Sequence, residues 1–364
     1  MRYIKILVLV FCTCFALAAQ AQGKHKIIEF NVPGAGTSSG QGTAGFGIVQ
    51  GNWIMGSYAD SNNVWHGFLR APKGKFTEFD PSGSQGTFPV GMNRQLAIVG
   101  TYTDSNGVYH SFLRTPQGKF TEFDVSGAGN GAGQGTQAQD INSKQEVEGY
   151  YVDSNNAAHG FVRARDGTIT EFDAPGAGAG ASQGTFPCGF SGLTRAGAIT
   201  GWYIDASNAV HGFLRAPGGA FTEFDAPGGG NGDFQGTWPG SISPEGEIAG
   251  GYNDTNNVNH GFLRASNGTF TEFDVRGAGT GANQGTKPYN INPGGAIIGM
   301  YVDANNVNHG FLRAADGTIT RFNAPGAGTG ANQGTFPWSN NPAGAIAGYY
   351  LDANNVNHGF LRMP

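Results

Sequence analysis

The sequence predicts an all-β fold: a seven-bladed β-propeller of four-stranded antiparallel blades, with the N-terminal strand completing the last blade. Three observations predict it. A His-Gly-Phe-Leu-Arg core begins at His66, His110, His159, His211, His260, His309 and His358, with Ser111 and Val162 as its only departures. The copies are 44, 49, 52, 49, 49 and 49 residues apart, a period at which propellers and other repeat folds come first. Gln-Gly-Thr recurs at Gln41, Gln85, Gln134, Gln183, Gln235, Gln284 and Gln333, and a Tyr-x-Asp segment ends at Asp60, Asp104, Asp153, Asp205, Asp254, Asp303 and Asp352. The two ends are also complementary. Near its start the chain carries Ile27-Ile28-Glu29-Phe30-Asn31 with no His-Gly-Phe-Leu-Arg before it, and it stops at Pro364 after a last copy of that core with no such segment behind it. Pairing the two covers edges that otherwise invite intermolecular association.

Each unit reads as four short strands. The inner strand follows Gln-Gly-Thr, as in the heptapeptide from Gly334, and the second runs from Ile346 to Asp352 in the last unit. The His-Gly-Phe-Leu-Arg core is the third, and the Thr-Glu-Phe-Asp type, as from Phe270 to Asp274, is the fourth. Nowhere in these units does an apolar period of 3.6 persist long enough for a helix. Third and fourth strands are joined at Lys73-Gly74, Gln117-Gly118, Asp166-Gly167, Gly218-Gly219, Asn267-Gly268 and Asp316-Gly317. Several of these are two-residue hairpin signals, because Gly and Asn tolerate the positive φ such turns need. The glycine-rich stretches such as 325–333 then cross from one blade to the next.

The chain opens with Arg2 and Lys5, an apolar run over residues 6–18, and Ala19-Gln20-Ala21. That run is too short to span a bilayer and ends in small residues, as a secretory signal peptide over residues 1–21 does. Residues 22–364 then form one propeller domain, exported to the extracellular space or periplasm, with a monomer favoured. Cys12 and Cys14 leave with the signal, so Cys188 has no internal disulfide partner. The fold must be held by packing and backbone pairing. Of 364 residues 63 are Gly and 17 Pro, yet 38% are hydrophobic and 12% aromatic, enough apolar surface for a core. Without Arg2 and Lys5, 19 basic residues face 26 acidic ones. That balance argues against a nucleic-acid partner or insertion at an anionic membrane.

The His-Gly-Phe core, preceded by Tyr-x-Asp and repeated near fifty residues, resembles the bacterial extracellular repeats called HAF after their His-Ala-Phe signature. The resemblance covers residues 27–362, with Gly or Ser in place of Ala after every repeated His. It implies an extracellular repeat protein and no particular activity.

Candidate chemistry divides into what repeats and what does not. An Asp and a His stand six residues apart in every unit, as in Asp303 and His309. Seven equivalent pairs suit a structural task better than a single catalytic site. A two-residue turn at Asn305-Asn306 would set Asp303 opposite Asn308, whereas a three-residue bulged loop would pair Asp303 with His309. The Asp-x-Asn-Asn oxygens make Asp60, Asp104, Asp153, Asp205, Asp254, Asp303 and Asp352 weak calcium candidates, but Asx-turn chemistry accounts for the same residues without a metal. No cofactor is otherwise expected.

Specificity should lie where units differ. Just after Gln-Gly-Thr stand Phe88, Phe186, Trp238 and Phe336, with Ala44, Gln137 and Lys287 in the same place. Aromatic platforms amid loop amides suit a glycan or cell-surface polymer, so Trp238, Phe88, Phe186, Phe336, Lys287 and Gln137 are the candidate ligand-binding residues. Further unrepeated residues are Asp140, Lys144, Glu146 and Glu148, a three-residue insertion around Ser191 to Arg195, and Asp233, Glu245 and Glu247. The other readings are an extracellular protein-binding scaffold and a propeller hydrolase or lyase. The latter lacks a G-x-S-x-G elbow, an H-E-x-x-H helix and paired unrepeated carboxylates of evident spacing, and Cys188 reads as a small core residue.

Overall fold

A computed structural model describes residues 25–189 and 191–364; the expected signal peptide over residues 1–21, with Cys12 and Cys14, lies outside the described residues. Those residues form 28 β-strands and no helix. The expected strands are present. In one unit, Gly285–Ile291, Ile297–Val302, Asn308–Arg313 and Ile319–Phe322 pair antiparallel in that order. A single parallel bridge, Asn308 to Gly334, ties the third strand to the next unit's inner strand. Gly334 must be glycine there: its φ is +119°, and a Cβ would fall on the Asn308 carbonyl.

Apolar side chains fill the space between successive sheets. Ala249, Leu263, Val275 and Phe273 from one unit meet Ile291, Ile297, Tyr301 and Phe311 from the next. Phe311 and Ile297 are fully buried. The Gly of His-Gly-Phe follows from this packing. A Cβ on Gly310 would meet the Phe322 ring at 2.8 Å, so the fourth-strand phenylalanine occupies the place an alanine methyl would take. Ser111, the exception, turns its hydroxyl into backbone bonds, donating to Thr136 O at 3.0 Å and accepting from Ala138 N at 2.8 Å. The Arg that ends the motif lies over the preceding sheet's phenylalanine, as Arg362 does over Phe322 at 5.0 Å.

The N-terminal strand Ile27–Phe30 pairs antiparallel with Asn357–Arg362, Ile27 opposite Arg362 and Phe30 opposite Gly359. Its chemistry matches that of a fourth strand elsewhere. Tyr58 donates its hydroxyl to Glu78 Oε2 at 2.7 Å, and Tyr350 donates to Glu29 Oε2 at 2.6 Å. Arg70 of the first complete unit lies 4.9 Å over Phe30, and Asn341 donates its amide to Val49 O at 3.3 Å.

The turns differ from the two-residue expectation. At Lys73-Gly74 the Ala71 N–H donates to Lys75 O and the Gly74 N–H to Ala71 O, and only Gly74 has positive φ, +93°. This is a three-residue loop with a bulged glycine, which leaves the right-handed twist of the flanking strands intact. The Asp loops are built alike. Asp303 N–H donates to Val307 O, Asn306 N–H donates to Asp303 O, and Asn306 has φ +62°. Neither expected register holds, because Asp303 faces Val307 while His309 lies opposite Tyr301.

Candidate functional site

The repeated polar residues are engaged with one another. In the first complete unit His66 stacks on Tyr58, ring centroids 5.1 Å apart, and its Nδ1 is 2.7 Å from Asp80 Oδ2, with Nε2 3.8 Å from Asp60 Oδ2. The bond to the Asp fourteen residues on is absent from any short-range reading, since only the fourth strand's pairing brings it alongside. His309 has Asn323 in that place, at 3.1 Å, and reaches Asp303 Oδ2 at 3.3 Å by diagonal approach across the hairpin.

Asp60 Oδ1 accepts the Asn62 and Val64 N–H groups at 2.8 and 2.9 Å. The Val64 bond, ahead of the others, holds its carboxyl below the usual aspartate range. These Asp residues are thus anchors of Asx-type loops, and no group of three His, Cys, Asp or Glu among the described residues is placed to hold a metal. The Asp loops and the blade-crossing stretches form one face of the protein, the loop face, and the Gln-Gly-Thr glutamines join them there: Gln284 Nε2 donates to Asn306 Oδ1 at 2.9 Å, and Asn332 N–H donates to Asn306 O at 2.7 Å.

Geometry singles out another position. Each regular inner strand carries a bulge, its ladder slipping between Gly45 and Gly47, Pro89 and Gly91, Ala138 and Asp140, Pro239 and Ser241, Pro288 and Asn290, and Pro337 and Ser339. The residues skipped are Phe46, Val90, Gln139, Gly240, Tyr289 and Trp338, with Cys188 at the matching place where the strand Gly184–Pro187 stops short. A bulge re-aims its side chain, and this is the one inner-strand place where the repeat has no common residue.

Gly240 opens a cavity of about 390 Å³ on the loop-face side of the inner strands. Opposite Trp238 in the ladder stands Gly251, where other units carry Tyr150, Trp202 or Tyr349. Two missing side chains in one unit therefore leave the space. Its walls include Trp202, Trp238, Tyr289, Trp338 and Lys287. Trp202 and Trp238 lie 5.6 Å apart at 51°, and Tyr289 stacks on Trp338 at 4.9 Å and 9°. Burial holds the Lys287 ammonium below the usual lysine range. The amides of Asn253 and Asn259 are committed, the first to Asn259 Oδ1 and the second to Gln284 O.

Of the six candidate residues, the structure brings Trp238 and Lys287 into this cavity. Phe186 stands behind it, stacked on Trp202 at 5.9 Å and 11°. The others are elsewhere: Phe88 packs near Trp65, Phe336 stacks on Tyr349, and Gln137 accepts the Tyr150 hydroxyl at 3.0 Å. Tyr289, Trp338 and Trp202 were missed as site residues. The signal that could have found them is their variation within an otherwise uniform repeat.

A second cavity, about 660 Å³, opens at the other ends of the inner strands, lined in part by Arg94, Lys144, Arg195 and Asp140. Asp140 is buried, accepts Ile141 N–H at 2.8 Å and Leu193 N–H at 3.2 Å, and is pushed up to about 6 by burial. Its ladder partner Glu148 is fully buried with neither oxygen hydrogen-bonded, and burial, then the Asp140 charge, raises its carboxyl well above the usual range. Cys188 is buried, its thiol donating to Pro239 O and raised by burial and then by Glu148. Glu146 accepts Asn142 Nδ2 at 2.6 Å beside this mouth, and the turn holding Glu245 and Glu247 lies at the same end. Asp233 precedes the inner strand Gly236–Ile242 and so lies at the opposite end.

Comparison with solved structures defines the class: the chain has the fold of β-propeller proteins. A streptogramin B lyase superposes with TM-score 0.59 at 15% identity, covering 93% of this chain and 98% of that one. The BP39L lectin from Burkholderia pseudomallei gives 0.57 at 11%, covering 87% and 93%. A puromycin hydrolase gives 0.51 at 12%, covering 86% of this chain and 52% of that one. No family model and no curated protein sequence matches the chain.

Proposed function

We propose that the protein is an exported binding module, a seven-bladed propeller closed by Ile27–Phe30, that takes a glycan or cell-surface polymer in the loop-face cavity. The carrying observation is the wall of Trp202, Trp238, Tyr289 and Trp338 around a space of about 390 Å³. Aromatic faces supply contact area to the apolar side of a sugar ring, and a few polar groups fix its orientation. A lectin among the structural neighbours supports binding at this coarse level, beside a lyase and a hydrolase. A protein scaffold would offer a broad apolar patch, whereas Phe234 is the large hydrophobic side chain exposed among the described residues.

The test is a glycan array and polysaccharide pull-down with the exported chain, with and without calcium. Trp238→Ala should weaken carbohydrate binding about 10-fold or more, by loss of a buried stacking surface. Phe234→Ala, on the same loop face but outside the cavity, should leave it unchanged. Equal binding by wild type and Trp238→Ala would place the site elsewhere, and no carbohydrate binding at all would remove the glycan reading.

A further inference from the structure

We infer that the ligand of the loop-face cavity is an anionic sugar, its acid group held by Lys287. This inference rests on the glycan reading and adds the charge of the sugar. Lys287 is the one charged residue lining the cavity. It has no carboxylate within salt-bridge distance: every ion pair among the described residues involves a histidine.

The placement is unusual for this chain in two ways. At the same place in the repeat the other units carry Ala44, Phe88, Gln137, Phe186, Trp238 and Phe336, none of them charged. The protein is also acidic, with 26 Asp and Glu against 21 Lys and Arg, yet none of these carboxylates among the described residues pairs with this ammonium. A half-buried cation without a counter-ion is costly, and an anionic ligand offsets that cost by supplying the missing charge.

The nearby carboxamides do not compete for an anion, since the side-chain amino groups of Asn253 and Asn259 already donate within the protein. An ammonium among aromatic walls fits a pyranose ring bearing one acid group. The shared chemistry is a sugar-borne anion, which nature supplies as a uronate carboxylate or as a sulfate ester.

The experiment titrates the full exported chain with tetragalacturonate, its fully methyl-esterified form, a sulfated carrageenan tetrasaccharide and a neutral cellotetraose. Binding to one of the two anionic probes, at least about 10-fold tighter than to the methyl ester and cellotetraose, is expected. Which anionic probe binds distinguishes carboxylate from sulfate. Lys287→Gln, which places in this unit the residue that Gln137 already provides in another, should fold normally and lose that preference, and Lys287→Arg should retain most of it. Equal binding of charged and neutral probes, unaffected by Lys287→Gln, would overturn the inference and leave the glycan reading standing. If no probe and no member of the glycan array binds, both fall.

Discussion

Phe30→Ala should destabilise the protein by about 3–5 kcal/mol, the cost of emptying a buried phenylalanine site, measured by denaturant unfolding of the exported chain. Phe30 is 6% exposed and does several things at once. Its ring lies 6.2 Å from Phe68, under the Arg70 guanidinium, and against Gly359, where any Cβ would strike it. Its strand pairs with Asn357–Arg362 at one end of the sequence while its ring packs on the first complete unit at the other. Losing the ring therefore loosens contacts between residues more than 300 positions apart, and exposes an unpaired strand edge. Self-association of the variant, read by light scattering, should rise with the loss of stability. A variant that unfolds within about 1 kcal/mol of wild type, against that expected cost, would mean that the N-terminal strand is an accessory.

Glu148→Met should have the opposite sign, stabilising the protein by about 1–3 kcal/mol near pH 8, the cost of a buried acceptor left without a bond. The first complete unit already holds Met55 in this position, almost fully buried, and other units hold Val99, Ala249, Ile298 and Ala347. Only the third unit places a carboxyl there. Burial raises Glu148, and raises its neighbour Asp140 to about 6, so the folded protein holds protons that the unfolded chain has released. Their contribution is complete below the ordinary carboxylate value near about 4 and is lost as pH rises through the folded values. Wild-type stability should therefore fall between pH 5 and pH 8 more steeply than that of Glu148→Met. A melting-temperature gain of the same size at both pH values would show that Glu148 does not carry the effect.

The repeated residues made the strands legible. His-Gly-Phe-Leu-Arg, Gln-Gly-Thr and Tyr-x-Asp are uniform because each answers a demand met identically in every unit: a glycine under a phenylalanine ring, a backbone crossing with positive φ, an aspartate capping its own loop. Local demands leave local signatures. The turns between third and fourth strands were misjudged in length, and those of the Asp loops left open, because a Gly or Asn with positive φ serves a bulged three-residue loop as well as a two-residue turn, and only the hydrogen bonds Ala71–Lys75 and Asp303–Val307 separate them.

The candidate site was half legible. Trp238 and Lys287 stood out as departures from the repeat, but Phe88, Phe336 and Gln137 did so equally, and the sequence held nothing to rank them. What distinguishes them is the neighbour across the ladder: Gly251 leaves Trp238 an open face, while Tyr349 covers Phe336 and Tyr150 engages Gln137. By itself the sequence determined an all-β repeat, its strands and the residues that punctuate them, since those depend on contacts within a unit. Tertiary structure alone decided where an empty space would lie, because a cavity is set by side chains missing from two strands and by walls supplied from several units, and no single stretch of chain records that sum.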